Sequence, residues 1–159
     1  MVLMKTLLLI DANSLIHRCF HALPPLNAPD GRPTQSLYGI ANILLRILKD
    51  DRPDYAAALF ARPEPTFRKE KFEAYKAHRP KAPDELVSQI IEAHDLFQKF
   101  GIKVFEKPGF EADDLIATLA IRFKGEKDLQ VVILTGDLDT LQIVEGEKFP
   151  TDEMPFSVS

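Results

Sequence analysis

Cysteine is nearly missing. Cys19 stands alone in 159 residues, so no internal disulfide can staple the fold, and none is needed, because a chain of this length buries roughly two-thirds of the surface its unfolded form exposes. Long apolar runs are absent as well, and nothing approaches the ~18 residues of a membrane span. The run Leu7 to Ile10 ends at Asp11, too short for the core of a signal peptide and without a small-residue cleavage pattern, so the expected place is a reducing cytoplasm and no membrane partner. Positive charge is also scarce: 20 Lys and Arg against 24 Asp and Glu give a formal charge of −4. That excludes a uniformly basic coat for nucleic acid. A local basic patch stays compatible with it, since binding depends on where charge sits.

The apolar residues that are present fall into two alternating patterns. Leu7 to Ile10, Tyr55 to Phe60 and Val131 to Leu134 are short continuous runs, as expected of strands buried on both faces, and Ile102 to Phe105 gives one more short strand. Between them, Leu37, Ile40, Ala41, Leu44, Leu45 and Leu48 recur at helical spacing, as do Leu86, Ile90, Ala93, Phe97 and Phe100, with Gly101 as the stop. Asp113 to Phe123 forms a further helix with Leu115, Ile116, Leu119, Ala120 and Phe123 inward. Strands alternating with helices predict an α/β fold, a parallel sheet covered by helices on both faces.

Two segments break the alternation. Leu23 to Pro33 holds four prolines and one glycine and is expected to be a loop without regular structure. Arg62 to Pro83 is a 22-residue insertion, longer than the usual connection in such a domain and of the kind that is usually functional or disordered. The end, Gly146 to Ser159, lacks periodicity and is expected to be a loosely held tail.

Ligands of open α/β sheets bind beyond the carboxyl ends of the strands, and the acids of this chain gather there. Asp11 follows the first strand. Glu111, Asp113 and Asp114 follow the third, and Asp137 and Asp139 follow the fourth. Two unit charges about 4 Å apart repel by about 4 kcal/mol at an effective dielectric near 20, so such a crowd cannot stay ionised together without cations or raised pKa values, and a divalent metal resolves the conflict. Hard oxygen ligands with few histidines select Mg²⁺ or Mn²⁺ over Zn²⁺, and two such ions about 4 Å apart suit phosphodiester hydrolysis. Each group also has a plainer reading. Asp11 can cap a helix, Glu111 to Asp114 can be a helix-start cluster, and Gly136-Asp137 is common turn chemistry. Three acids in four residues exceed what capping uses.

The insertion carries seven Lys or Arg between Arg62 and Lys81 against Glu64, Glu70 and Glu73. Were it helical from Thr66, Arg68, Phe72, Tyr75, Lys76 and Arg79 would share one face. Cations that track phosphates and rings that stack on bases suit single-stranded nucleic acid, whereas the plainer alternative is a solvated basic helix. A basic segment beside an acidic edge would deliver phosphate to metal.

Leu9-Ile10-Asp11-Ala12-Asn13, Pro65-Thr66-Phe67-Arg68, Tyr75-Lys76-Ala77-His78-Arg79, Gly109-Phe110-Glu111-Ala112-Asp113-Asp114 and Thr135-Gly136-Asp137-Leu138-Asp139 occur in an order that resembles the 5′-3′ exonuclease domain of bacterial DNA polymerase I, a family that includes flap endonucleases. The resemblance runs from about Lys5 to Val144. It implies a PIN-like fold with a basic arch, a lobe over residues 1–145 with the arch at 62–83, and removal of 5′ ends or flaps from DNA with Mg²⁺ or Mn²⁺. By the same resemblance Asp11, Glu111, Asp113 and Asp114 match catalytic metal-binding positions, Asp137 and Asp139 match a second ion's ligands, and Arg68, Lys69, Tyr75, Lys76 and Arg79 match the arch that contacts DNA. Arg18 and Gly39 lie in matching segments, Arg18 on the substrate side. A polymerase domain accompanies the lobe in full-length relatives.

Three departures bear on activity. Phe60-Ala61 stands where the family pattern has Phe-Asp, and alanine cannot bind metal. Leu138 occupies a position generally basic in relatives. The tail Phe149 to Ser159 does not resemble the second, helix-hairpin-helix lobe into which the family continues. The expectation is therefore an impaired 5′ nuclease. Its rivals are a non-catalytic nucleic-acid-binding module of the same fold, which Ala61 favours, and a PIN-type ribonuclease, which the long basic insertion disfavours.

Overall fold

The structure, a computed structural model, describes residues 3–62 and 80–136. The residues expected to form the arch, Arg68, Lys69, Tyr75, Lys76 and Arg79, the acids Asp137 and Asp139, and the expected tail lie outside the described residues.

The order is β1 (Lys5–Asp11), α1 (Ala12–Ala22), α2 (Gln35–Asp50), β2 (Tyr55–Phe60), α3 (Asp84–Lys99), β3 (Lys103–Glu106), α4 (Ala112–Phe123) and β4 (Leu129–Leu134). The four strands form one parallel sheet in the order β3-β2-β1-β4. The chain steps outward from β1 to β3, then crosses back so that β4 lies on the other side of β1. That reversal makes the carboxyl ends of β1 and β4 the switch point of the sheet, where two loops part and leave a crevice.

The continuous apolar runs are explained by burial on both faces. Leu8 and Ile10 of β1 with Ala58 and Phe60 of β2 join Leu15, Ile16, Ile40, Leu44, Leu86 and Phe97 in one core, under α1, α2 and α3. Leu7, Leu9, Ala57 and Leu59 face the other way, onto Ala112 and Ile116 of α4. Helix α1 approaches α2 closely at Gly39, where a Cβ would stand 2.7 Å from Cys19 Sγ.

Two expectations need correction. Leu45 and Leu48 are exposed, and Ile43 is buried in their place; the true inward stripe of α2 is rotated by about one residue. Strand β4 is not buried on both faces, because it is an edge strand and Val131, Val132 and Ile133 are only half-buried; β3, at the other edge, leaves Phe105 exposed. The proline-rich loop holds no helix or strand, as expected; an isolated antiparallel bridge between Asn27 and Pro33 closes it, and Arg32 ties Asp30 (2.7 Å) and Glu92 of α3 (2.8 Å) together.

Candidate metal centre

Asp11 is the last residue of β1 and the N-cap of α1, with 6% of its surface exposed. One oxygen, Oδ1, accepts the backbone N–H of Ser14 at 3.2 Å, and the other, Oδ2, accepts the hydroxyl of Thr135 at 3.1 Å. Register explains the second bond. Ile10 pairs with Leu134, so the next residue of each chain, Asp11 and Thr135, meet just past the sheet. Burial pushes the Asp11 carboxyl above its ordinary range; the bonds from Ser14 and Thr135 oppose this, and the negative charge of Asp113 adds to it.

The Ser14 hydroxyl sits within the same knot. Its Oγ lies 3.1 Å from Thr135 Oγ1 and 3.3 Å from the Asp11 carbonyl oxygen, and it accepts the Gly136 N–H at 2.8 Å. A side chain at Gly136 would crowd this approach, since its Cβ would lie 3.0 Å from the Ser14 carbonyl oxygen.

The second contribution comes from the start of α4. Glu111 is buried and forms a capping box, its carboxylate taking the Asp114 backbone N–H while Asp114 Oδ2 accepts the Glu111 N–H at 3.1 Å. Asp113 stands on the first turn beside them. Carboxylate oxygens of Glu111, Asp113 and Asp114 lie within 4.8 Å of one another. The plainer readings are therefore true too: Asp11, Glu111 and Asp114 do cap helices. Capping uses some oxygen lone pairs and leaves others at two helix N-termini, where partial positive charge tolerates anions.

Of the six expected acids, the structure brings Glu111, Asp113 and Asp114 into one cluster and sets Asp11 within electrostatic reach of Asp113. An all-carboxylate donor set at this spacing fits a hard divalent cation. Arg18 lies on the same side, its Cβ beside the Gly136 backbone. Ala61 follows β2, its N–H bonded to Asn13 Oδ1 at 2.8 Å. Ser14 and Thr135 were not among the expected site residues. A hydroxyl in the first turn of a helix that begins at a strand-terminal aspartate was the available signal.

The profile of the "5′-3′ exonuclease, N-terminal resolvase-like domain" family matches residues 6–154. The chain belongs to that family. It is 43% identical over 141 residues to a 5′-3′ exonuclease of Aquifex aeolicus (strain VF5), covering 89% of this chain and 48% of that protein. It is 40% identical over 139 residues to DNA polymerase I of Caldicellulosiruptor bescii, covering 87% of this chain and 16% of the polymerase. The family member thus spans about half the length of the first relative and a small part of the second. A crystal structure of bacteriophage T5 D15 flap endonuclease in a pseudo-enzyme-product complex with DNA and metal ions shares the fold, with a TM-score of 0.57 and 21% identity over 86% of this chain and 50% of that one. The PIN-like α/β fold expected of the family is the fold observed. Among the described residues no helix is long and apolar enough to cross a membrane.

Proposed function

We propose that residues 1–145 are the nuclease lobe of a structure-specific 5′-3′ exonuclease or flap endonuclease that hydrolyses DNA phosphodiesters with Mg²⁺ or Mn²⁺ in the cytoplasm. The lobe carries the arch at 62–83. The observation that carries this is the convergence of Glu111, Asp113 and Asp114 oxygens within 4.8 Å, next to buried Asp11 at the switch point of the sheet. Family membership and the T5 flap endonuclease bound to DNA and metal ions support it.

In this reading Asp11, Glu111, Asp113 and Asp114 hold the first ion, and Asp137 and Asp139 contribute to a second. When bound, divalent ions supply the positive charge that polarises a phosphodiester and lowers the pKa of an attacking water. The protein supplies orientation. The helix caps fix Asp11, Glu111 and Asp114 before any ion arrives, and no side chain need serve as nucleophile. Arg18 lies toward the substrate, and Arg68, Lys69, Tyr75, Lys76 and Arg79 of the arch contact the 5′ strand. A polymerase domain is the partner in cis in relatives such as the Caldicellulosiruptor enzyme.

Cleavage of a labelled 5′-flap DNA in Mg²⁺ and Mn²⁺ tests the reading, with an RNA flap alongside. Preference for RNA would replace it with a PIN-type ribonuclease. One observation favours a second reading: Ala61 removes a carboxylate that the family pattern supplies after β2, as a non-catalytic DNA-binding module would tolerate. Tight flap binding with no cleavage by the chain or by Ala61→Asp would establish that module. Binding measured across salt tests the arch. An Arg68→Ala, Lys76→Ala, Arg79→Ala variant should lose about 2–3 units of salt slope.

A further inference from the structure

We propose that Thr135 and Ser14 are positioning residues for the cation site, acting through a one-way hydrogen-bond chain that runs from the backbone of β4's exit to the Asp11 carboxylate. The proposal rests on the metal-binding reading above and assigns to it two residues that hold no metal themselves.

Proton bookkeeping sets the direction. A hydroxyl has a single proton to donate. Thr135 gives its proton to Asp11 Oδ2 at 3.1 Å, because an ionised carboxylate can only accept. Thr135 Oγ1 is then an acceptor toward Ser14, so across their 3.1 Å contact Ser14 is the donor. Ser14 has a second acceptor in the Asp11 carbonyl at 3.3 Å, the longer of its two contacts. Ser14 Oγ in turn accepts the Gly136 N–H at 2.8 Å. The chain therefore reads Gly136 N–H to Ser14, Ser14 to Thr135 with the Asp11 carbonyl competing for the same proton, and Thr135 to Asp11, with each bond polarising the next.

Two consequences follow for a bound cation. Oδ2 of Asp11 is held by a donor that orients the carboxylate and leaves further lone pairs toward the crevice, the role that outer hydrogen-bond partners play around metal ligands. The chain also ties the exit of β4, which leads to Asp137 and Asp139, to the exit of β1. Two hydroxyls thereby hold the exits of β1 and β4 together, and a Cβ at Gly136 would crowd the Ser14 carbonyl oxygen at 3.0 Å.

Titration of Mn²⁺ into the full chain tests this, followed by calorimetry, with folding checked by circular dichroism. Thr135→Val keeps the shape and removes the donor, so Mn²⁺ affinity should fall about 10-fold. Thr135→Ser should restore it to within about twofold. Ser14→Ala should weaken binding while leaving the backbone N–H cap on Asp11. The Ser14→Ala, Thr135→Val double variant should be no weaker than Thr135→Val alone, because both act through one chain. Wild-type affinity in Thr135→Val, or additive losses in the double variant, overturns the relay. Should Thr135→Val fail to fold, Ser14→Ala with undiminished affinity does so instead. Glu111→Gln separates the two levels: if it binds Mn²⁺ as wild type does, or if the wild-type chain binds none, the metal reading falls and the relay's role falls with it. If Glu111→Gln loses the ion while Thr135→Val keeps it, only the relay is lost.

Discussion

The backbone N–H of Ala61 donates to Oδ1 of Asn13 at 2.8 Å, which pins the first residue after β2 to the first turn of α1. A side chain introduced at position 61 therefore starts from a fixed backbone at the same strand end as Asp11. Ala61→Asp should raise the rate of flap cleavage in Mg²⁺ by about 10-fold or more, the scale on which metal-site partners act. In EDTA the same variant should melt at a lower temperature than the parent, because another carboxylate joins a crowd already short of positive charge. Equal rates and equal melting in the two proteins would show that position 61 does not face the acids.

Divalent metal should stabilise the fold. An ion that binds only the assembled site adds about 2.7 kcal/mol at a concentration 100 times its dissociation constant. Thermal melting with increasing Mn²⁺ should show a rise that saturates, and Glu111→Gln and Asp113→Asn should each flatten it. A rise that persists in both variants would move the ion away from α4.

Asp11 carries a pH signature of its own. Burial holds its carboxyl above the ordinary value in the fold, so the folded state binds the proton more tightly than the unfolded chain. That contribution is complete below the ordinary carboxylate range and is lost as pH rises through the raised value; at neutral pH the buried charge costs stability. In EDTA, Asp11→Asn should thus melt above the parent at pH 7, with the gain vanishing at about pH 3, where both states of the parent are protonated. In saturating Mn²⁺ the order should reverse. A gain independent of pH would point to packing rather than charge.

Much of this was legible in the sequence because the signals were local. The short apolar segments located the four strands, and the apolar spacings located α2, α3 and α4, each to within a few residues, whereas α1 was legible only as a helix start at Asp11; the placement of Asp11 and Glu111 to Asp114 after strands pointed to the edge where Asp113 acts on Asp11. What escaped depended on tertiary partners. Nothing in the pattern of α2 distinguishes exposed Leu45 from buried Ile43 until α3 and α1 pack against one face. The edge position of β4 follows from a strand order that hydropathy does not encode. Ser14 and Thr135 are far apart in sequence, and only the β1–β4 register brings their hydroxyls to 3.1 Å.

The same blindness hid a helix cap supplied from another helix. Thr34, at the N-cap of α2, makes no side-chain cap bond. The Ser36 N–H donates instead to Gln89 Oε1 of α3 at 2.7 Å, while Gln89 Nε2 donates to Gln35 Oε1 and to the Glu85 carbonyl, each at 3.2 Å. Gln89 and Ser36 are fully buried, so the network cannot exchange its bonds for water. Gln89→Leu keeps the apolar volume and orphans the Ser36 N–H and the Gln35 oxygen; it should lower stability by about 1–3 kcal/mol. Gln89→Glu is the sharper test. Ionised, its carboxylate still accepts from Ser36 but donates nothing and brings a buried charge, whereas protonated it regains one donor. Its loss in urea melts should accordingly be larger at pH 7 than at pH 4.5, while the loss in Gln89→Leu should be the same at both. A pH-independent deficit in Gln89→Glu would mean that water reaches the side chain and that α2 is held at its start by something other than this bond.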